Sequence, residues 1–424
     1  MALAATMSLL PQDWLVLAVF AVVYLGMILG GLPRLHLDRT GVALLGAIAV
    51  VGAGVLTPEE AARAVHLPTV LLLFSFMVIS AQMRLGGFYA RVTRGIVEMP
   101  HGPGVLLALV IGVSATLSAV FTNDVVCLAM APVLADACVR RRLDPVPYLL
   151  ALACASNIGS AATLIGNPQN VLVGQTLRLD FAGYFRDAVL PVAAGVVALW
   201  LLLHTAARRL PQGVQAEAVA PAADEAPPFD LWQTAKGLAV AAVLLVLFVF
   251  TDVPPEVAAL VGAGVLLLSQ RFHSSRVMSL VDWELLILFI GLFIVNHAMQ
   301  RTGLTLRAVE WLASAGVDLH QTGPLFAATL MLSNLVSNVP AVMLLLPVAA
   351  EAPTGGLTLA LVSTLSGNLL IVGSIANIIV VDAATRRGIR IDWRRHLRTG
   401  LPVTLATLAG TAAWLAVLAW VRSA

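Results

Sequence analysis

The chain reads as an all-α polytopic membrane protein of two inverted repeats. Each repeat holds three spans, a re-entrant hairpin, a broken helix and a final span, about 10 spans plus 2 hairpins in all. Three observations predict this class. Of 424 residues, 59% are apolar and only 11% charged, with a mean hydropathy of +0.93. Soluble domains carry about 25% charged residues, so this chain cannot dress a water-facing surface. Apolar runs of helix-spanning length recur from end to end. The basic residues, finally, alternate in number from one connecting segment to the next.

The expected spans are 14–31, 42–56, 68–84, 147–177, 187–206, 233–251, 256–270, 283–300, 356–386 and 399–421. Two further apolar stretches, 104–138 and 324–350, are interrupted by TND and SNVP and read as hairpins that enter and leave on one side. Runs 147–177 and 356–386 are too long for one straight span, and each has a polar break in its middle. With the N-terminus outside, 19 of the 25 Lys and Arg fall on inside segments and 6 outside. The positive-inside rule selects this orientation, which puts both termini outside a cytoplasmic (inner) membrane. MALAATMSLLPQDW lacks a basic region before its first apolar run, so no cleaved signal peptide is read and the first span is retained.

Residues 208–232, rich in Pro, Ala and acidic side chains, read as an unpacked cytoplasmic linker. They separate a first repeat, 1–207, from a second, 233–424. FTNDVVCLAMAPVL (121–134) matches VSNVPAVMLLLPVA (336–349), aligning Asn123 with Asn338 and Pro132 with Pro347. GSAATLIGNPQNVLV (159–173) matches SGNLLIVGSIANIIV (366–380), aligning Gly166 with Gly373 and Asn170 with Asn377. Five crossings per half is an odd number, so the second half is inverted.

In a bilayer, irregular backbone survives only where protein or a water-filled cavity surrounds it. Asn167-Pro168 reads as an N-cap followed by Pro at the first helical position, a helix restart. Thr122 or Asn123 is placed to cap a returning helix 124–138, and Ser337 or Asn338 one over 340–350. Each restart leaves free N–H groups with a partial positive charge, beside carbonyls of the preceding half-helix. Four such breaks should surround one small cavity suited to an anion and a coupling cation. The substrate- or ion-binding candidates are Thr122, Asn123, Asp124, Gly166, Asn167, Asn170, Ser337, Asn338, Asn368, Gly373, Ser374 and Asn377. The plainer alternative is that these groups only satisfy kinked helices.

Asp124, beside the hairpin tip, and His297, in FIVNHAMQ, are the proton-coupling candidates. Asp124 is alternatively a first-turn carboxylate stabilised by the helix dipole, and His297 an interfacial residue. Asp136 and Asp382 read as interfacial; Cys127, Cys138 and Cys154 read as buried core thiols. No metal-protease, P-loop or nucleophile-elbow motif occurs, and neither a metal site, a cofactor nor an enzymatic activity is expected.

The four segments FTNDVVCLAMAPVL, GSAATLIGNPQNVLVG, LVSNVPAVMLLLP and SGNLLIVGSIANIIVVDAA resemble signatures of the ion transporter superfamily. The branch is the one of arsenite permeases, sodium/proton antiporters and citrate-type anion transporters. The resemblance implies scaffold helices, a mobile transport domain of hairpins and broken helices, and a homodimer. Its sodium/dicarboxylate members carry Ser-Asn-Thr at both hairpin tips and a Thr-Pro-Pro-Asn-like loop at the breaks. Here the tips are Thr122-Asn123-Asp124 and Ser337-Asn338-Val339, and the loops GNPQN (166–170) and GSIAN (373–377). These departures weigh against a two-sodium dicarboxylate site; the Asn-Asp tip is closer to arsenite permeases and sodium/proton antiporters.

The leading expectation is therefore a secondary transporter of a small inorganic oxyanion or its neutral acid, with proton-coupled arsenite or antimonite efflux foremost. Sodium-coupled di- or tricarboxylate or sulfate transport, and sodium/proton antiport, stand second. An anion channel is the reading from another class, but no span carries the continuous polar stripe it needs. The expected partners are a small inorganic or organic anion and membrane lipid, with no nucleic acid; a soluble ATPase partner is left open, as are H+ or Na+ as coupling ion.

Overall fold

A computed structural model describes residues 10–32, 35–99, 101–207, 227–269 and 271–423. Linker residues 208–226, including Arg208 and Arg209, lie outside the described residues, as does Arg34. The first half runs α1 (Pro11–Leu29), a ribbon β1 (Gly31–Leu32) and β2 (Leu37–Asp38), α2 (Arg39–Gly52), α3 (Pro58–Ala64), α4 (Leu67–Leu85) and α5 (Phe88–Glu98). It continues with α6 (Pro103–Val120), α7 (Asn123–Arg140), α8 (Pro145–Ser160), α9 (Pro168–Thr176) and α10 (Phe181–Ala207). The second half runs α11 (Leu231–Phe250), α12 (Pro255–Leu267), α13 (Ser274–Met278), α14 (Trp283–Arg301) and α15 (Leu304–Ser314). It closes with α16 (Thr322–Val336), α17 (Asn338–Ala349), α18 (Gly355–Ser366), α19 (Ile375–Thr385) and α20 (Trp393–Ser423).

The second ten helices repeat the first ten in order. α4 and α14 have 19 residues each. Each is followed by a left-handed glycine, Gly87 at φ 72° and Gly303 at φ 70°, that turns the chain into an 11-residue helix. Among the described residues, seven helices are long and apolar enough to cross a membrane, and six shorter apolar ones include α18 and α19, the halves of the second-repeat break.

The interrupted stretches fold as the helix pairs α6–α7 and α16–α17, and the two over-long runs break between α8 and α9 and between α18 and α19. Asn167 is the N-cap of α9, its Oδ1 accepting the Asn170 N–H at 2.9 Å, with Pro168 in the first turn. The caps at the hairpin tips correct the sequence reading. Thr122 and Ser337 hold the N-cap positions, but neither side chain caps. α7 and α17 start at Asn123 and Asn338 themselves, slightly earlier than expected, so both amides point away from their own helices. Ser337 sits at φ 76°, ψ 161°, a region that costs a non-glycine residue about 1–3 kcal/mol. The connecting helices α3, α5, α13 and α15 fall in segments to which the sequence reading assigns no element. α5 buries Tyr89, Ala90, Thr93, Ile96 and Val97 along one face; α15 buries nothing and exposes Leu306 and Trp311.

Ion pairs tie segments on the same expected side. Arg387–Asp136, Arg395–Asp144 and Arg271–Asp230 join the arginine-rich segments; Arg301–Glu60 and Arg422–Asp187 join those of the opposite side. The Thr57 main-chain N–H and then Arg301 hold the Glu60 carboxyl below its usual range. Asp136 and Asp382 thus lie at the arginine-rich ends, the latter paired with Arg386 at 2.8 Å, and all three cysteines are buried.

The centre of the molecule is α8 and α18. Nearly every residue of α8 and every residue of α18 is buried, as their small and apolar surfaces on all sides require. α6 packs on α8 at Gly159, where an added Cβ would lie 2.2 Å from the Ala115 carbonyl oxygen. Gly159→Ala should therefore destabilise the protein by about 1–3 kcal/mol through overpacking. Gly112→Ala, with nothing within 4 Å, should be neutral or slightly stabilising. Thermal unfolding of the two variants in detergent compares them; equal melting temperatures would refute the close approach.

Candidate functional site

The four half-helices that follow the breaks, α7, α9, α17 and α19, begin at one place, and their N-terminal residues are joined chiefly through Asn157 of α8 and Thr364 of α18. The arrangement grows from a repeated local rule. Breaking a helix leaves carbonyls that lipid cannot satisfy, and one asparagine just past each restart supplies the donor. Asn170 Nδ2 reaches back to the carbonyls of Thr163 (2.9 Å) and Ser160 (3.5 Å). Asn377 Nδ2 reaches those of Leu370 (3.0 Å) and Gly367 (2.8 Å), the same two positions in the second repeat. Tyr184 steadies the first break, accepting from Asn170 at 3.1 Å and donating to Ala161 O at 2.8 Å.

The oxygen of each of these amides is held by the other repeat. Asn157 Nδ2 donates to Asn377 Oδ1 at 3.2 Å, and Thr364 Oγ1, at the position equivalent to Asn157, donates to Asn170 Oδ1 at 3.2 Å. The N-caps cross in the same way: Ser374 Oγ donates to Asn157 Oδ1 at 2.9 Å, and Asn167 Nδ2 to Thr364 Oγ1 at 3.3 Å. These four bonds obey the two-fold relation between repeats.

The hairpin tips dock on this knot. Asn123 donates its main-chain N–H to Gly166 O at 3.0 Å and its Nδ2 to Asn157 Oδ1 at 3.0 Å. Asn338, with its amide oriented to suit its neighbours, donates to Gly373 O (3.2 Å) and Ser363 O (3.0 Å) and accepts from Gln169 (3.3 Å). Gly166 fits because a Cβ there would lie 2.3 Å from Ser160 O; Gly373 faces Gly367 O at 3.0 Å. Asn368 Oδ1 accepts from Asn157 at 2.9 Å.

Eleven of the twelve binding candidates are thus brought to one locus, Ser337 and Thr122 through their places at the tips and the others through bonds or contact. The twelfth, Asp124, stands at the same tip, half-buried, within electrostatic reach of Asp282 and with no hydrogen bond or ion pair among the described residues. His297 is not part of the locus. It lines a separate cavity with His66, Asn296 and Gln300.

The expected cavity is the point that needs correction. Asn157, Asn167, Asn170, Asn368 and Asn377 are at most 1% exposed, because amides of the two repeats satisfy each other and close the space between them. Several polar atoms are left over there among the described residues, Asn334 Oδ1 beside Gly373 being one. Asn123 Oδ1 and Asn368 Nδ2, an acceptor and a donor flanking Asn157, are buried without a protein partner. Four helix N-termini add partial positive charge at the same spot. Asn157, Thr364 and Gln169 are the residues that the sequence reading passes over. A signal for two of them exists: Asn157 aligns with Thr364 at the offset that pairs Asn170 with Asn377, and both are polar in helices with no polar face to turn to water.

Paired helix breaks of this kind, facing each other across an inverted repeat inside a membrane, define a membrane transport protein. The chain belongs to the citrate transporter family (CitMHS), whose profile matches residues 15–365. It is 31% identical over 418 residues to an uncharacterized transporter of Mycobacterium tuberculosis, covering 91% of this chain and 94% of that protein. It is 29% identical over 476 residues to the silicon efflux transporter LSI3 of Oryza sativa subsp. japonica, covering 94% and 97%. The crystal structure of the Alcanivorax borkumensis YdaH transporter shares the fold, with a TM-score of 0.52 at 17% identity over 97% of this chain and 98% of that one.

The crossed bonds predict strong coupling. In a double-mutant cycle on thermal stability, Asn157→Ala and Asn377→Ala should be non-additive, with an interaction energy of about 0.5–3 kcal/mol. Additivity within about 0.5 kcal/mol would mean the amides do not communicate.

Proposed function

We propose that this protein is a secondary active transporter of a small inorganic oxyanion or its neutral acid, and that proton-coupled efflux of arsenite or antimonite is the foremost case. The observation that carries the reading is the meeting of four helix N-termini around an unpaired acceptor and an unpaired donor, Asn123 Oδ1 and Asn368 Nδ2. Such a locus offers hydrogen bonds and positive potential to oxygen-rich cargo without a full counter-charge. The silicon efflux relative supports cargo of this kind, since silicon and arsenic(III) both travel at neutral pH as weakly acidic hydroxyl compounds. Sodium-coupled carboxylate or sulfate transport, or sodium/proton antiport, is the second reading; of these, the family description supports the carboxylate as cargo.

In this reading residues 1–207 and 233–424 are the two repeats, joined by a cytoplasmic linker at 208–232 in an inner-membrane protein with both termini outside. The protein works as a homodimer in lipid, binds no nucleic acid, needs no cofactor and carries out no enzymatic reaction. Asp124 takes and releases the coupling proton. Rigid-body movement of the bundle that carries the locus, against the surrounding scaffold helices, exposes it alternately to the two faces.

Proteoliposome transport of arsenite, citrate, sulfate and sodium, with and without a pH gradient, tests the function. In Asp124→Asn, exchange at equal concentrations should persist while accumulation driven by the pH gradient disappears. A dipole-stabilising carboxylate would instead give a lower melting temperature with coupling intact, and normal pH-driven accumulation would rule out the coupling role.

A reporter fused after Arg209 should be cytoplasmic and one at the C-terminus periplasmic. Finding both on one side would contradict the proposed topology.

A further inference from the structure

Two cavities flank the central locus, and the repeat relates them. One, of about 280 Å³, is bounded by the ends of α4, α5, α7 and α19 and includes Arg84, Tyr89, Leu128, Pro132 and Ala383. The other, of about 350 Å³, includes Gln300, Met343, Pro347 and Thr176. Arg84 and Gln300 are the next-to-last residues of the equivalent helices α4 and α14. Leu128 aligns with Met343 and Pro132 with Pro347 in the hairpin match, and Thr176 with Ala383 in the broken-helix match. Inversion turns these equivalent cavities toward opposite membrane faces. Their chemistry has diverged: the first is lined by three arginines and two aspartates, the second by neutral amides and histidines.

We infer that the first cavity is an anion-binding vestibule, with the Arg84 guanidinium as its ligand and Tyr89 as a wall residue that positions it, and that the diverged second cavity leaves the opposite face with weaker affinity for anionic cargo. The inference deepens the transporter reading and rests on it.

Arg386 and Arg387 are already engaged, with Asp382 and Asp136 at 2.8 Å each. Arg84 is half-buried at the end of α4 and has no ion-pair partner among the described residues. Tyr89 is 1% exposed, and its hydroxyl, beside that of Ser80, is buried in the wall behind Arg84 rather than open to the cavity. The ring is held edge-on by Phe88 and Phe121, which fixes the hydroxyl in the wall beside Arg84. A guanidinium fork that no ion pair engages among the described residues is a bidentate donor for a carboxylate or an inorganic oxyanion. The volume holds roughly nine waters at ~30 Å³ each, enough for either. Gln300, in Arg84's place, offers one neutral amide. The difference in affinity does not set the direction of transport, which the driving gradient decides; it sets which face saturates at low concentration.

The test uses everted and right-side-out membrane vesicles with citrate, sulfate and arsenite, the last being uncharged at neutral pH. For a transported anion, Arg84→Gln should raise KM about tenfold or more at the cytoplasmic face and leave KM at the other face unchanged. Gln300→Arg, a gain of function that a folding defect cannot mimic, should lower KM at the periplasmic face. Arsenite transport should respond to neither substitution. An Arg84→Gln variant that changes both faces equally, or neither, overturns the vestibule. If the wild type moves neither citrate nor sulfate, binding replaces KM as the readout; if it moves none of the three solutes, the oxyanion-transport reading fails as well. Calorimetric titration of citrate and sulfate into detergent-purified protein then still decides the vestibule: binding at least tenfold weaker in Arg84→Gln supports it, and equal or absent binding overturns it.

Discussion

An interrupted helix inside a membrane is tolerable only if something other than lipid satisfies its carbonyls and restarts its N–H ladder. Here that requirement is met reciprocally. Asn170 and Asn377 each bond the carbonyls of their own break, while the oxygens of the two amides are fixed by Thr364 and Asn157 of the opposite repeat. Neither break is complete alone. The burial of α8 and α18, the glycine contact of α6 with α8 and the docking of both hairpin tips all follow from holding these four groups within bonding distance. A buried polar network of this kind is stable when full and costly when any member is lost.

The same reciprocity limits how the molecule can move. The knot joins α8–α9 of one repeat to α18–α19 of the other, so those four half-helices travel as one body. The hairpin tips are attached differently. Asn123 is held by one main-chain and one amide bond, whereas Asn338 is reached from a strained Ser337 at φ 76°. The two halves of the site are therefore unequal in backbone energy although they are alike in plan. Asp124 on one tip and Val339 on the other add an inequality of charge.

Much of this architecture can be read in the chain itself. Run lengths, the arginine distribution and the paired motifs locate every helix break, because the membrane leaves so few ways to place polar residues in an apolar run. The Asn167 cap is legible since Asn-Pro has one natural position at a helix start. Asn157 and Thr364 are not, because they sit inside unbroken helices where no turn chemistry marks them, and their role exists only after two distant segments meet. The open cavity expected from four convergent breaks fails for the same reason: spacing shows that amides converge but not that they pair with each other. The connecting helices α5 and α15 escape notice since their short, mixed composition carries no span signal.

The crossing of the two repeats has a consequence for how the protein is made. Residues 157–170 and their partners at 364–377 are separated by nearly half of the chain. At a synthesis rate of about 5–20 residues per second, the first break waits roughly 10–40 s for the groups that complete it. Through that interval the nascent first half must shelter the Asn170 oxygen and the Asn157 amide by other means, from water in the translocation channel or from an insertion chaperone. The newborn protein is thus most exposed to quality control through the second half of translation, from the completion of its first repeat until residues 364–377 emerge.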